Sequence, residues 1–334
     1  MSPLTPITLA REIRDGRRIL AQEDKLLHHL LLWDLDELCQ GAHIIQQYYC
    51  GDTIELCTIV NGKSGQCSED CRYCAQSACY TAAAAPVYGF ADPQTILENG
   101  MANEAGGVHR FSIVTAGRRL SGRDFETALR CYRLLSKRCG VSLCASHGLL
   151  ERDGFEALKA AGVERYHANL ETSRHFFPSI CTTHSYDDKL RCISQAQEAG
   201  LTVCSGGIIG MGESWQDRLD LAFELAGLGI RSIPLNILIP IPGTPLEHQA
   251  PLAPSEILRT VALFRYICPE ADIRLAGGRA GLADGGRRAF LSGASAAITG
   301  NMLTTEGNTI GEDLILLRQI GCQPAKRIQR GNSI

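Results

Sequence analysis

No run of about 18 apolar residues occurs anywhere in the sequence, so no membrane-spanning helix is expected. No secretory leader is expected either. Arg11, Glu12, Arg14, Asp15, Arg17 and Arg18 crowd the N-terminal region, and no apolar segment precedes a small-residue cleavage site. A cytoplasmic protein is expected. Neither sign of charge dominates: 33 Lys and Arg stand against 36 Asp and Glu, interspersed, for a net charge of −3. That balance offers no basic patch for nucleic acid or for an anionic membrane. Linkers, low-complexity segments and short repeats are also lacking, which argues against a string of small modules. Cysteine is the exception to this scarcity. Fifteen of them, an odd count in a reducing compartment, argue against a disulfide framework and for metal or redox chemistry. Cys39, Cys131, Cys139, Cys192, Cys268 and Cys322 read as small buried hydrophobes.

With 334 residues, 45% of them hydrophobic and 21% charged, the chain is long enough for one α/β barrel with a large core. Residues 5–48 carry Leu26, Leu27, Leu30, Leu31, Leu35 and Leu38 at helical spacing, and predict a helical N-terminal extension over 1–48. Strand patterns then recur at 53–60, 109–115, 141–146, 165–170, 201–206, 232–238, 272–276 and 296–299. Helical patterns follow most of them, at 123–138, 154–161, 187–199, 217–228 and 254–267, several closing on a glycine such as Gly162 or Gly200. Eight strands alternating with helices predict a (β/α)8 TIM-type barrel over 49–322, with 323–334 as a tail. In such a barrel the chemistry lies on the loops after the strands.

The loop after the first strand carries Cys67, Cys71 and Cys74 in a C-x3-C-x2-C triplet. Three thiolates so close together can ligate three irons of a cubane and leave the fourth iron open for a reactant. The alternative is a structural zinc site, which wants four ligands in two close pairs; no second CxxC or HxxxH follows here. The Gly-rich segment 205–213 is either a tight turn opening a helix or a backbone, at Gly206, Gly207 and Ile208, that approaches a bound nucleotide.

The triplet resembles the signature of radical S-adenosylmethionine (SAM) enzymes. "NGKSGQCSEDCRYCAQSA" further resembles the cluster loop of biotin synthases, and the likeness runs over about residues 20–322. "HANLETS" from His167, "CSGGI" from Cys204 with "GMGE" from Gly210, "GTPL" from Gly243, "IRLAGGR" from Ile273 and "LTT" from Leu303 each resemble family segments. The resemblance implies that a [4Fe–4S] cluster on Cys67, Cys71 and Cys74 cleaves SAM to a 5′-deoxyadenosyl radical. Dethiobiotin would be converted to biotin, with two SAM cleaved per product and sulfur drawn from an auxiliary iron–sulfur cluster. Tyr73 would lie by the adenine, Glu171, where the family more often has Asp, near the ribose, and Asn169 and Asn236 on the ureido ring. An Asn after a strand is otherwise most often a turn residue. A flavodoxin- or ferredoxin-type electron donor, iron–sulfur assembly machinery and a homodimer are the further expectations. A hydrogenase-maturase-like barrel and a non-catalytic iron–sulfur carrier are the competing readings.

At one place the sequence departs from the family. By resemblance Cys144, Cys204 and Arg274 occupy auxiliary-cluster positions, but the family's remaining cysteine is Ser112, a poor iron ligand beside thiolate. Barrel geometry points two unusual cysteines, Cys79 and Cys181, to the same face. They are either incidental or part of a rebuilt cluster on Cys79, Cys144, Cys181 and Cys204. Such a cluster would hold four irons and an extra sulfide in place of a [2Fe–2S] unit, with Arg274 beside it as a cation.

Overall fold

A computed structural model of the chain describes residues 4–80, 85–303, 305 and 307–325. Thr304 and most of the expected tail, 326–334, lie outside the described residues. Three helices come first: α1 (Pro6–Arg14), α2 (Asp24–Leu32) and α3 (Leu35–Cys50). Thr5 and Thr8 form a reciprocal cap at the start of α1, and Asp34 caps α3 through the amides of Asp36 and Glu37. The strands are β1 (Thr53–Lys63), β2 (Arg110–Thr115), β3 (Ser142–Ser146), β4 (Val163–His167), β5 (Thr202–Cys204), β6 (Gly207–Ile209), β7 (Ser232–Ile237), β8 (Asp272–Leu275), β9 (Ala296–Ile298) and β10 (Gln323–Pro324). Between them run α4 (Pro93–Ala105), α5 (Gly122–Arg138), α6 (Arg152–Ala160), α7 (Tyr186–Glu198), α8 (Trp215–Gly227), α9 (Pro254–Ile267), α10 (Arg287–Phe290) and α11 (Ile310–Gln319).

All strand pairings among the named strands are parallel, and β1 pairs with both β2 and β9, so the sheet closes on itself. β5 and β6 both pair with β7 and form one interrupted stave, giving the eight staves of a TIM-type barrel. The break falls at Ser205 and Gly206, where the sequence predicts one continuous strand. β10 was not expected. It pairs Gln323 with Thr53, so the first residues of the predicted tail extend the sheet.

The N-terminal helices pack on α9. The Tyr266 hydroxyl donates to the Pro6 carbonyl at 2.9 Å, and Arg259 donates to the carbonyls of Leu30 and Trp33. The six cysteines read as small hydrophobes are all buried. Among the described residues no helix is long and apolar enough to cross a membrane.

Candidate active site

The triplet loop is held by its own backbone. Gly65 and Gln66 take left-handed conformations, with φ of 74° and 53°, and turn the chain from β1 into the loop. The Cys67 amide then donates to the Gln76 carbonyl at 3.0 Å, and the Ala78 amide returns a bond to the Cys67 carbonyl at 2.8 Å. The Gln76 side chain accepts from the Gly65 amide at 3.2 Å. Cys67, Cys71 and Cys74 consequently line one cavity of about 200 Å³, together with Tyr73, Glu171 and Lys189. Burial pushes the Cys74 thiol up to about 11, so a metal must displace its proton to bind. Three soft donors around one cavity fit a site-differentiated iron–sulfur cluster.

Tyr73 and Cys74 also line a second cavity, of about 340 Å³, that runs down the barrel. Its lower wall carries Cys57, Ser112, Cys144, Cys204 and Arg274. Parallel register accounts for the grouping: Cys57 pairs with Arg110, Ser112 with Cys144, and Cys144 with Arg165. Beneath the thiols Glu55 is contacted by Arg165 at 2.8 Å, by Arg110 at 3.3 Å and by Arg274. Burial opposes the charge on Glu55, but Arg274, His109, Arg165 and Arg110 together hold its carboxyl well below the usual range. Burial likewise opposes a Cys144 thiolate, yet the hydrogen bond with Cys57 and the charges of Arg110 and Arg165 draw it below the ordinary thiol range. The same hydrogen bond, with burial added, keeps Cys57 protonated. Arg110 also points Nη1 at the Cys144 sulfur, 3.7 Å away, and Ser232 donates to the Cys204 sulfur at 3.3 Å. The Nε atoms of Arg110 and Arg165 are buried without a partner. Unpaired buried donors and three thiols suit an anionic, thiolate-held group.

Between these two ends stand the residues singled out after β4 and β5. Glu171 has φ 72°, unusual for a side chain of its size. Two backbone bonds fix it there: its amide donates to the Gly206 carbonyl at 3.0 Å, and its carbonyl accepts from Ile208 at 2.8 Å. A Cβ on Gly207 would sit 2.4 Å from the Glu171 oxygen, and one on Gly206 2.0 Å from the Pro234 oxygen. Only glycines allow this close approach. Asn169 accepts from the Gly206 amide at 3.1 Å and points Nδ2 at Glu171, 3.3 Å away. Asn236 bridges the Gly277 amide and the Gly207 carbonyl at 3.0 and 3.1 Å. Both asparagines therefore brace backbone while lining the cavity. Tyr73 is raised well above a normal phenol, first by burial and then by Glu171, Cys71 and Cys74.

The four thiols expected to share a rebuilt cluster are not brought together. Cys144 and Cys204 line the lower cavity, whereas Cys79 is exposed on the triplet loop. Cys181 lies 3.8 Å from Cys71, because the Arg72 amide bonds the Ile180 carbonyl and ties the loop after β4 to the triplet. Cys57 takes the third place at the floor. Alternation puts it on the same strand face as Glu55 and Ile59, but only the register shows that this face meets the cavity.

Residues 63–225 match the radical SAM superfamily, and residues 234–323 match the biotin and thiamin synthesis associated domain. A biotin synthase from Clostridium beijerinckii is 53% identical over 313 residues, covering 94% of this chain and 98% of that protein. The chain belongs to the biotin synthase family. Family members from Alkaliphilus metalliredigens, at 52% over 94% of this chain and 98% of theirs, and Akkermansia muciniphila, at 53% over 86% and 89%, agree. The protein is thus a radical SAM enzyme of biotin synthesis. Among solved structures, methylornithine synthase superposes with a TM-score of 0.81 at 16% identity, over 95% of this chain and 97% of that one. A maturase of the [FeFe]-hydrogenase gives 0.80 at 17%, over 96% and 75%. At such identities these two share the barrel, and the biotin synthase relatives decide the class.

Proposed function

We propose that the enzyme converts dethiobiotin to biotin between two thiolate-held iron–sulfur clusters, one at each end of the barrel cavity. The observation that carries this is the continuity of the cavity, which runs from Cys74 at the mouth to Cys57, Cys144 and Cys204 at the floor. When bound, the upper cluster with SAM supplies the radical that removes hydrogen from carbon, and the lower cluster supplies the sulfur. Two carbon–hydrogen bonds give way to carbon–sulfur bonds, so two SAM are spent per product. Cys67, Cys71 and Cys74 would hold the upper cluster; Cys57, Cys144 and Cys204 would hold the lower, with Arg274 against it.

The rest of the work falls to the protein's own groups. Asn169 and Asn236 would offer their remaining amide capacity to the ureido ring. Glu171, pinned by backbone bonds, and Tyr73 would position the nucleoside of SAM. Ile59, Ile208, Ile237 and Ile298 line the cavity and keep water from a reactive carbon. Arg110, Arg165 and Arg274 would balance the negative charge of the lower cluster, with Glu55 setting their positions. Electrons would come from a flavodoxin- or ferredoxin-type donor.

The test is a single-turnover reaction of anaerobically reconstituted protein with SAM, reductant and dethiobiotin. Clusters built with 34S-sulfide should yield biotin two mass units heavier. Unlabelled biotin, or SAM cleavage indifferent to dethiobiotin, would overturn the reading.

A further inference from the structure

Beside the triplet stands a group of donors, of which Cys71 and His184 line the smaller cavity and Cys181 lines neither. The Cys71 sulfur donates to the Cys181 sulfur at 3.8 Å, and the Cys181 sulfur is 3.3 Å from Nδ1 and 3.8 Å from Nε2 of His184. Ligand atoms of Cys71, Cys181 and His184 all lie within 4.8 Å of one another. Cys181 and His184 are buried, on the loop between β4 and α7.

The 3.8 Å between the two sulfurs and the 3.8 Å from Cys181 to Nε2 of His184 fit one tetrahedral ion. Zinc–sulfur bonds of about 2.3 Å at a tetrahedral angle put two thiolates ~3.8 Å apart, and a ligating imidazole nitrogen roughly 3.6 Å from each sulfur. A cubane takes one thiolate per iron, so Cys181 beside Cys71 is not a further ligand of the iron that Cys71 would hold. The surroundings are also those of a metal-bound histidine. Glu69 Oε2 is 2.5 Å from His184 Nδ1 and accepts at 2.9 Å from Thr183, which fixes the ring and leaves Nε2 free to ligate. The Asp70 carboxylate, 3.3 Å from the Cys181 sulfur, or a water would complete four-coordination.

We propose that Cys71, Cys181 and His184 bind a single thiophilic divalent cation, zinc or ferrous iron, in the cluster-free protein. Because Cys71 serves both, this ion and the upper cluster exclude each other; that clause alone rests on the assignment of the triplet. The ion would hold the triplet loop against the loop after β4 until the cluster is built.

Cobalt is the probe. Full-length, reduced, cluster-free protein titrated with Co2+ should show one ion per chain, with thiolate-to-cobalt charge-transfer absorption and the visible bands of a tetrahedral site. One equivalent of zinc should displace it. Cys181→Ala and His184→Ala should each weaken binding at least tenfold, whereas a Cys67→Ala/Cys74→Ala double variant should retain it. Cys181→Ser serves as a second variant should the alanine fail to fold. Retention of the bands in Cys181→Ala and His184→Ala, or their loss in the double variant alone, would place the ion elsewhere and overturn the site. In a second arm, prior zinc loading should slow cluster reconstitution in the wild type and not in Cys181→Ala. Equal rates in both would overturn the exclusion, and this arm does not depend on biotin formation.

Discussion

Replacing Glu55 by Gln tests the electrostatic reading of the barrel floor. The variant keeps the shape and some hydrogen-bonding capacity but removes the carboxylate that Arg110, Arg165 and Arg274 share. Those arginine side chains are 12%, 13% and 2% exposed, so water compensates little. Breaking a buried ion pair by removing one partner costs roughly 3–5 kcal/mol, and the 14% exposure of Glu55 favours the lower end, about 3 kcal/mol. Urea unfolding of cluster-free protein, followed by circular dichroism, should show this loss at pH 7. The carboxyl is depressed in the folded state, so its contribution is complete above the unfolded value of about 4.3 and fades as pH falls through the folded value. The gap between wild type and variant should therefore be flat from pH 8 to 5 and close only in stronger acid. A loss under 1 kcal/mol, or a gap that closes near neutrality, would refute the idea that one carboxylate balances the floor.

Three other outcomes are expected. Cys71→Ala should fold, as judged by circular dichroism, yet form no 5′-deoxyadenosine when reconstituted and reduced; normal SAM cleavage would remove the triplet from the mechanism. Cys57→Ala should lose the lower cluster's iron while the upper cluster's spectrum persists, and Ser112→Cys should change iron content little; full iron in Cys57→Ala returns that thiol to the core. Asp313→Ala should destabilise the fold by roughly 3–5 kcal/mol in the same urea assay, because Arg279 bonds it twice, at 2.7 and 2.6 Å, with both side chains buried.

The staves and most helices were legible because alternating and helical periods report burial directly, and the predicted helix at 254–267 coincides with α9. The break between β5 and β6 was not, because its cause is distant in sequence: Gly206 abuts Pro234, and Glu171 bonds across the gap. The triplet carried its chemistry in its spacing. Cys57 did not, since a cysteine in a strand looks like any small hydrophobe until register shows which cavity it faces. The sequence marks Cys181 as unusual, but the barrel rule gives only a face of the molecule. It was the bond from Arg72 to Ile180 that carried this loop to Cys71 instead of the cavity.

Register also says what a lower-cluster ligand at Cys57, in place of one at Ser112, would do. Ile59 pairs with Ser112, and Cys57 stands two residues earlier on the same face of β1. Two residues of strand are ~6.6 Å, so a ligand moved from Ser112 to Cys57 lies one layer closer to Glu55 and the three arginines. At the upper layer the serine then leaves a small polar wall where a thiolate would otherwise project. A cluster held at the floor would have more cationic contact, and more free height above it, than one held at the Ser112 layer. That height lies between the lower thiols and Asn169 and Asn236, in the cavity proposed for the substrate. On the proposed assignment, a thiolate at Cys57 in place of one at Ser112 would be a single displacement along the barrel axis, and the arginine-rich floor would make the deeper position electrostatically favourable.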